Sequence, residues 1–203
     1  MIAHQITLTI IAGLGKNTRL KFYNRRKQIV KHGTVSIENV NVGDLNDFID
    51  TVNELHLKRF SKRCFNAMQR KFILEILEAF SSDKMTSCSQ LKVNSTVISA
   101  MVNIQTDNKV YNIQLGFLED FDRKIAPGTL HLGYVIENVF GAAYLDSFDL
   151  LAGTGKNFNY KARFSKPSVT LETREIIHKP VLKLLYFLKD YVLSRVHTSR
   201  EGH

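Results

Sequence analysis

Residues 109–140 read KVYNIQLGF, LEDFDRKIA, PGTLHLGYVIENVF, and the three blocks have different characters. The first, Lys109 to Phe117, places apolar or aromatic side chains at Val110, Tyr111, Ile113 and Leu115 and runs out at Gly116-Phe117, which predicts a strand. The second is acidic, apart from the adjacent cations Arg123 and Lys124. The third opens on Pro127-Gly128-Thr129 and carries Leu130, Leu132, Tyr134, Val135, Ile136 and Val139, which predicts an apolar helix with proline in its first turn. A helix start presents unpaired N–H groups and the positive end of the helix dipole. Two cations before it and a glycine within it would suit a diphosphate. The same spacing also describes a plain strand–loop–helix connection, and both readings stand at this point.

Outward from this stretch, helix and strand signals alternate. Asn17 to His32 reads as a basic helix ended by Gly33, and Thr34 to Val40 as a strand. Asp44 is placed to cap a helix whose buried stripe is Leu45, Phe48, Ile49, Val52 and Leu55. A second helix, about 65–80, repeats the pattern with Met68, Phe72, Ile73, Ile76 and Leu77. Strands follow at 85–93 and 97–105, and Asp107-Asn108 turns the second of them into the strand at 109–117. After the apolar helix, 147–151 and 168–177 read as strands and 181–196 as an amphipathic helix. The expectation is a single domain over 1–203 of α/β (α+β) class. Its centre would be a mixed, mostly antiparallel sheet flanked by helices.

Charge narrows the partner classes. The chain holds 28 Lys+Arg against 19 Asp+Glu, a formal net charge of +9, which points towards an anionic partner. The surplus is segmented. Residues 1–37 hold seven bases and residues 55–74 six, with no acid in either, whereas 117–149 holds six acids against Arg123 and Lys124. The large basic blocks therefore lie outside the 109–140 stretch, and the charge available to a diphosphate there is local and small.

Several chemistries lack their signatures. Gly13-Leu14-Gly15-Lys16 and Gly153-Thr154-Gly155-Lys156 resemble phosphate loops, but Ile10 and Leu150 replace the leading glycine and Asn17 and Asn157 replace Ser/Thr. Seven scattered histidines form no zinc spacing, so no metal is expected. No G-x-S-x-G elbow occurs. Cys64 and Cys88 form no CxxC pair or disulfide framework, and no apolar run reaches the ~20 residues of a membrane helix. The alternating start, Ile2 to Gly13, reads as a strand rather than a signal peptide. The chain is expected in the cytoplasm.

Four segments, from about Leu14 to Phe164, resemble the GNAT-fold acyltransferases of the CelD/BcsL type, also called BioF2-like and related to the Fem aminoacyltransferases. The basic helix from Arg19 to Lys31 is similar to that family's Arg-rich helix. His56-Leu57-Lys58-Arg59-Phe60 resembles its His-x-x-Arg-Trp segment, with Phe60 in the place of Trp. Tyr111 to Phe117 followed by Ala126-Pro127-Gly128 resembles its Tyr…Gly-Phe strand and Ser-Pro-Gly helix start. Phe148-Asp149-Leu150-Leu151-Ala152-Gly153 and Tyr160-Lys161-Ala162-Arg163-Phe164 resemble its Asp-Phe-x-x-Gly and Tyr-Lys-x-x-Phe pair.

The resemblance implies a GNAT-like fold and transfer of an acyl group from acetyl-CoA, or another acyl-CoA, to an amine. The thioester would lie beside the strand Tyr111–Phe117, with its diphosphate at the following helix start. The implied cofactor-binding residues are Gln114, Gly116, Phe117, Arg123, Lys124, Ala126, Pro127, Gly128 and Thr129. Arg59, Tyr111, Asp149 and Lys161 are the implied substrate-binding residues. The chemistry needs a base for the amine proton and a proton for the leaving thiolate. Glu119, Asp122 and His56 are candidate bases, and Tyr160 the candidate acid. Each has a plainer reading: Glu119 and Asp122 as a solvated loop, His56 as a core-edge histidine held by a carbonyl, Tyr160 as a packing residue, and Asp149 as a turn carboxylate. The acceptor would be a small-molecule amine or a cell-envelope or polysaccharide precursor. The alternatives are a Fem-like aminoacyl transfer, with the basic helix facing tRNA, or a non-catalytic basic binding module; other nucleic acid is not expected.

Overall fold

In a computed structural model of the chain, residues 16–81, 86–141, 145–151 and 178–198 are described. The expected strands at 2–13 and 168–177 lie outside them. Two compact units divide the chain, Met1–Lys166 and Pro167–His203. In the second, the described element is one helix, α5 (Pro180–Thr198), which opens on its proline as a first-turn position allows.

The first unit is built on a five-stranded sheet in the order β1-β2-β3-β4-β5. These strands are β1 (Val35–Asn39), β2 (Thr86–Val93), β3 (Thr96–Thr106), β4 (Lys109–Phe117) and β5 (Ser147–Asp149). The first four pair antiparallel and β5 joins β4 in parallel. Asn94 and Ser95, between β2 and β3, both have positive φ (49° and 68°), the handedness that suits a tight hairpin, and Asp107 opens the next turn at 52°.

The alternation of β3 decides which helix meets which face. Ala100 and Val102 point to one side, where α2 (Leu45–Phe60) and α3 (Ala67–Ser81) bury Phe48, Ile49, Val52, Ile73, Leu74 and Leu77. Met101 points to the other side, against Leu132, Val135 and Val139 of α4 (Pro127–Gly141). On that side Ile29, the last residue of α1 (Lys16–Ile29), packs with Leu91, Ile98 and Leu130. The result is a sheet between two helical layers.

Two local expectations were displaced. In α3, Met68 and Phe72 are 81% and 62% exposed, and the buried face is Ile73, Leu74 and Leu77. Its apolar residues span a broad arc, with Lys71, Glu75 and Glu78 on the remaining face, so periodicity alone leaves open which part of the arc is buried. Contact with α2 selects it, helped by the two-armed pair of Arg70 with Asp50, both arms at 2.8 Å. Asp44 occupies the N-cap of α2 without a side-chain capping bond. Its carboxylate instead accepts from Asn41 Nδ2 at 3.3 Å. A reciprocal box starts α3: Gln69 N–H donates to Asn66 Oδ1 and Asn66 N–H to Gln69 Oε1.

Candidate active site at the β4–α4 junction

β5 pairs with β4 only at Lys109, Val110 and Tyr111. From Asn112 to Phe117 that edge of β4 has no strand beside it among the described residues. A bulge falls at the point of departure: Asn112 opposes Asn103 and Gln114 opposes Val102, so Ile113 is an extra residue. Bulges bend a strand and increase its twist, which carries β4 away from its neighbour. Gly116 lies beneath α2, where a Cβ would meet Leu55 Cβ at 3.0 Å and the Val52 carbonyl at 3.1 Å.

The connection to α4 is held by its own carboxylate. Asp122 accepts from the Lys124 amide at 2.7 Å and lies 3.1 Å from His32 Nε2. These contacts, the Lys124 amide foremost, hold the Asp122 carboxyl below the usual carboxylate range. Arg123 and Lys124 are thereby left exposed at the tip. Ala126 turns with φ 48° into Pro127 and Gly128, both buried. Pro127 has no N–H, and the Gly128 and Thr129 amides meet no carbonyl among the described residues. The missing Cβ of Gly128 faces Phe117, not an opening: a methyl there would lie 2.4 Å from the ring.

Arg59 gathers the predicted groups at the end of β4. Its guanidinium lies 4.3 Å from the centroid of Phe117 and 4.4 Å from that of Phe60, and its Nε donates to Glu119 at 3.2 Å. Arg59, Phe117, Glu119 and Gly128 therefore form one connected group. His56, one turn earlier, donates from Nδ1 to the Lys62 carbonyl at 2.9 Å and tilts against Phe60. That bond leaves the lone pair of the neutral ring on Nε2. Tyr111 and Asp149 are opposite one another on β4 and β5, and Asp149 Oδ1 accepts from the Leu151 amide at 2.8 Å. Gln114 is half-buried on β4. Tyr160 and Lys161 lie outside the described residues.

Sequence reasoning passed over His131, which is fully buried in α4 between Ser89 Oγ at 3.1 Å and Ser99 Oγ at 3.0 Å. Burial pushes its pKa down to about 3, so the ring is neutral. The signal in the sequence was faint, since Ser89 and Ser99 occupy inward-facing positions of β2 and β3 but have nothing local to name their partner. Asn112 and Asn103 extend the buried polar content, Asn112 Nδ2 donating to Asn103 Oδ1 at 2.9 Å. Both thiols are raised by burial, Cys64 to about 11 and Cys88 to about 12, which leaves neither as a thiolate near neutrality. Among the described residues no group of three His, Cys, Asp or Glu is placed to hold a metal, and no helix is long and apolar enough to cross a membrane.

A family profile described as an acetyltransferase (GNAT) domain matches residues 16–162, which include the bulged fourth strand and the helix start. The chain belongs to the GNAT acetyltransferase family. Two solved structures support the GNAT fold. An aminoglycoside acetyltransferase, meta-AAC0020, from an uncultured soil metagenomic sample, aligns with TM-score 0.51 and 11% identity over 71% of this chain and 97% of its own. The C-terminal (DUF2156) domain of a putative lysylphosphatidylglycerol synthetase from Agrobacterium fabrum aligns with TM-score 0.51 and 13% identity, over 76% of this chain and 54% of its own. A possible acetyltransferase from Clostridium difficile 630 aligns with TM-score 0.49 and 14% identity, over 71% of this chain and 99% of its own. No curated protein matches the chain.

Proposed function

We propose that this GNAT domain is an acyl-CoA-dependent N-acyltransferase of the CelD/BcsL type, acting in the cytoplasm as one domain over 1–203. The acceptor is an amine on a small molecule or on a cell-envelope or polysaccharide precursor. The observation that carries this reading is the departure of β4 from β5 after Tyr111. Among the described residues it leaves an edge of backbone amides and carbonyls from Asn112 to Phe117 beside which the amide-bearing arm of a CoA thioester fits as a strand would. The same strand ends at the α4 start, where the Gly128 and Thr129 amides and the exposed cations Arg123 and Lys124 suit the diphosphate. Gln114, Gly116, Phe117, Ala126 and Pro127 shape the passage between the two. A thioester supplies an acyl group already activated towards attack.

The amine must lose a proton as it attacks. Of the candidate acceptors, His56 is favoured because its Nδ1–H is engaged by Lys62 and its Nε2 retains a lone pair. Glu119 is drawn instead into the Arg59 guanidinium. Arg59, Tyr111, Asp149 and Lys161 are assigned to the acceptor side, and Tyr160 to protonating the thiolate. Calorimetry with acetyl-CoA, CoA and an acyl-pantetheine lacking the diphosphate tests the donor site. Binding that needs the diphosphate supports it. No acyl-CoA binding, alongside salt-sensitive binding of aminoacyl-tRNA, would overturn it. His56→Gln should lower kcat at least tenfold with little change in the acetyl-CoA Kd, and Glu119→Gln should change kcat by no more than about threefold.

A further inference from the structure

We propose that His131 is a positioning residue that fixes the end of β4 against α4, so that the donor strand and the diphosphate-binding helix start are held in one geometry. The inference rests on the donor reading above and deepens it. It begins with hydrogen-bond directions. The Gly116 carbonyl can only accept, so Ser99 spends its one hydroxyl proton on it, at 3.1 Å. The Ser99 oxygen must then accept from His131 Nδ1–H at 3.0 Å. The other ring nitrogen, Nε2, carries no proton in that tautomer and accepts from Ser89 at 3.1 Å. One directed line therefore runs from β2 through α4 to β3 and ends on the β4 carbonyl beside Phe117.

The placement of this line points to geometry rather than cohesion. His131, Ser99 and Ser89 are at most 2% exposed. Apolar residues of similar shape would fill such a position with little loss of stability, whereas a fully satisfied polar line specifies one arrangement. The arrangement it specifies is the junction used by the donor. His131 is one turn into α4 from Gly128, and Gly128 seats the Phe117 ring. Gly116 is thus held by Ser99 from within the sheet, while Phe117 is held by α4 itself. Without the imidazole, the β3–β4 ladder still pairs Gly116 and Phe117 with Ala100 and Ser99. Ser99 is then free to turn, and the end of β4 loses its polar tie to α4.

The test is acetyl-CoA affinity by calorimetry in the full chain, alongside urea unfolding. Ser99→Ala and His131→Leu should each raise the acetyl-CoA Kd at least tenfold, and the double variant should be no worse than the weaker single. His131→Gln, whose amide keeps one donor and one acceptor, should stay within about threefold of the wild type. A merely structural role would move unfolding midpoints without this rescue of affinity. If His131→Leu does not fold, Ser99→Ala reads the same line from its other end. Failure of the wild type to bind overturns the donor reading and this role with it. Wild-type binding, with folded Ser99→Ala and His131→Leu both within twofold of it, overturns the positioning role alone.

Discussion

Arg59 stacks its guanidinium on Phe117, 4.3 Å from the ring centroid, while its Nε reaches Glu119. A residue of α2 is thereby bound to the last residue of β4 and to the loop beyond it. Cation–π contacts of this kind contribute about 0.5–1 kcal/mol at partly exposed sites, and an exposed ion pair adds less than about 1 kcal/mol. Arg59→Met, which keeps the stem, is therefore expected to cost no more than about 1–2 kcal/mol in urea unfolding. Its larger effect should be on turnover, with kcat/KM for the amine falling at least tenfold. Loss of stability without loss of turnover would remove Arg59 from the acceptor side.

Gly128 cannot accept even one methyl without moving the Phe117 ring, which a Cβ would approach to 2.4 Å. Overpacking of this kind costs about 1–3 kcal/mol. Gly128→Ala should lower the urea midpoint accordingly, and Phe117→Leu in the same chain should recover part of it by vacating the space. Equal midpoints for wild type and Gly128→Ala would show that the ring is not confined.

His131 makes stability depend on pH in a defined window. The folded chain keeps the ring neutral to about pH 3. An imidazole in the unfolded chain takes its proton near pH ~6.5. Between those values the unfolded state binds more protons, so stability falls as pH is lowered, by up to about 1.4 kcal/mol per pH unit from this group, and is untouched by it above the window. Urea midpoints at pH 7 and pH 5 should therefore differ more in the wild type than in His131→Gln. Identical differences would place the origin of any acid lability elsewhere.

Asn94 closes the β2–β3 hairpin and ties it to His32 and Thr34, between α1 and β1. Its Oδ1 accepts from the Thr34 amide and its Nδ2 donates to the His32 carbonyl, both at 2.9 Å. Its own φ is 49°, a conformation asparagine tolerates better than alanine. Asn94→Ala should cost about 1–3 kcal/mol through the two lost partners and the strained turn, measured by thermal or urea unfolding. Asn94→Gly, which relieves φ but still loses both bonds, should lie between the two.

The sheet was legible wherever local pattern and turn chemistry agreed. The strand read at 109–117 is β4, residue for residue, and Asp107 has the positive φ that its turn requires. α3 was less legible because its apolar arc is wider than the face it buries. Only the neighbouring α2 and the Arg70–Asp50 pair decide that Met68 and Phe72 face outward. At the site, the proximity of Arg59 to Phe117 and Glu119 could not be read locally, since about 60 residues and three strands intervene. His131 was illegible for a different reason. A single histidine in an apolar helix has no partner in its own segment, and its two serines come from β2 and β3.

Ile113 gives the sheet an unusual economy. With it present, β4 carries one residue more than β3 needs, yet every pair on either side keeps its partner. Deleting it would join Asn112 to Gln114 with Asn103 and Val102 still opposite them, so no side chain beyond the deletion would change face. The losses would be the curvature of the bulge and the Ile113 side chain, which packs against the core beneath α2 and α3. One residue therefore sets how strongly β4 bends while leaving the register of the sheet on both sides unchanged. A one-codon deletion should produce a chain whose sheet keeps its register but whose core lacks one partly buried side chain, so its urea midpoint falls while the bend in β4 is lost.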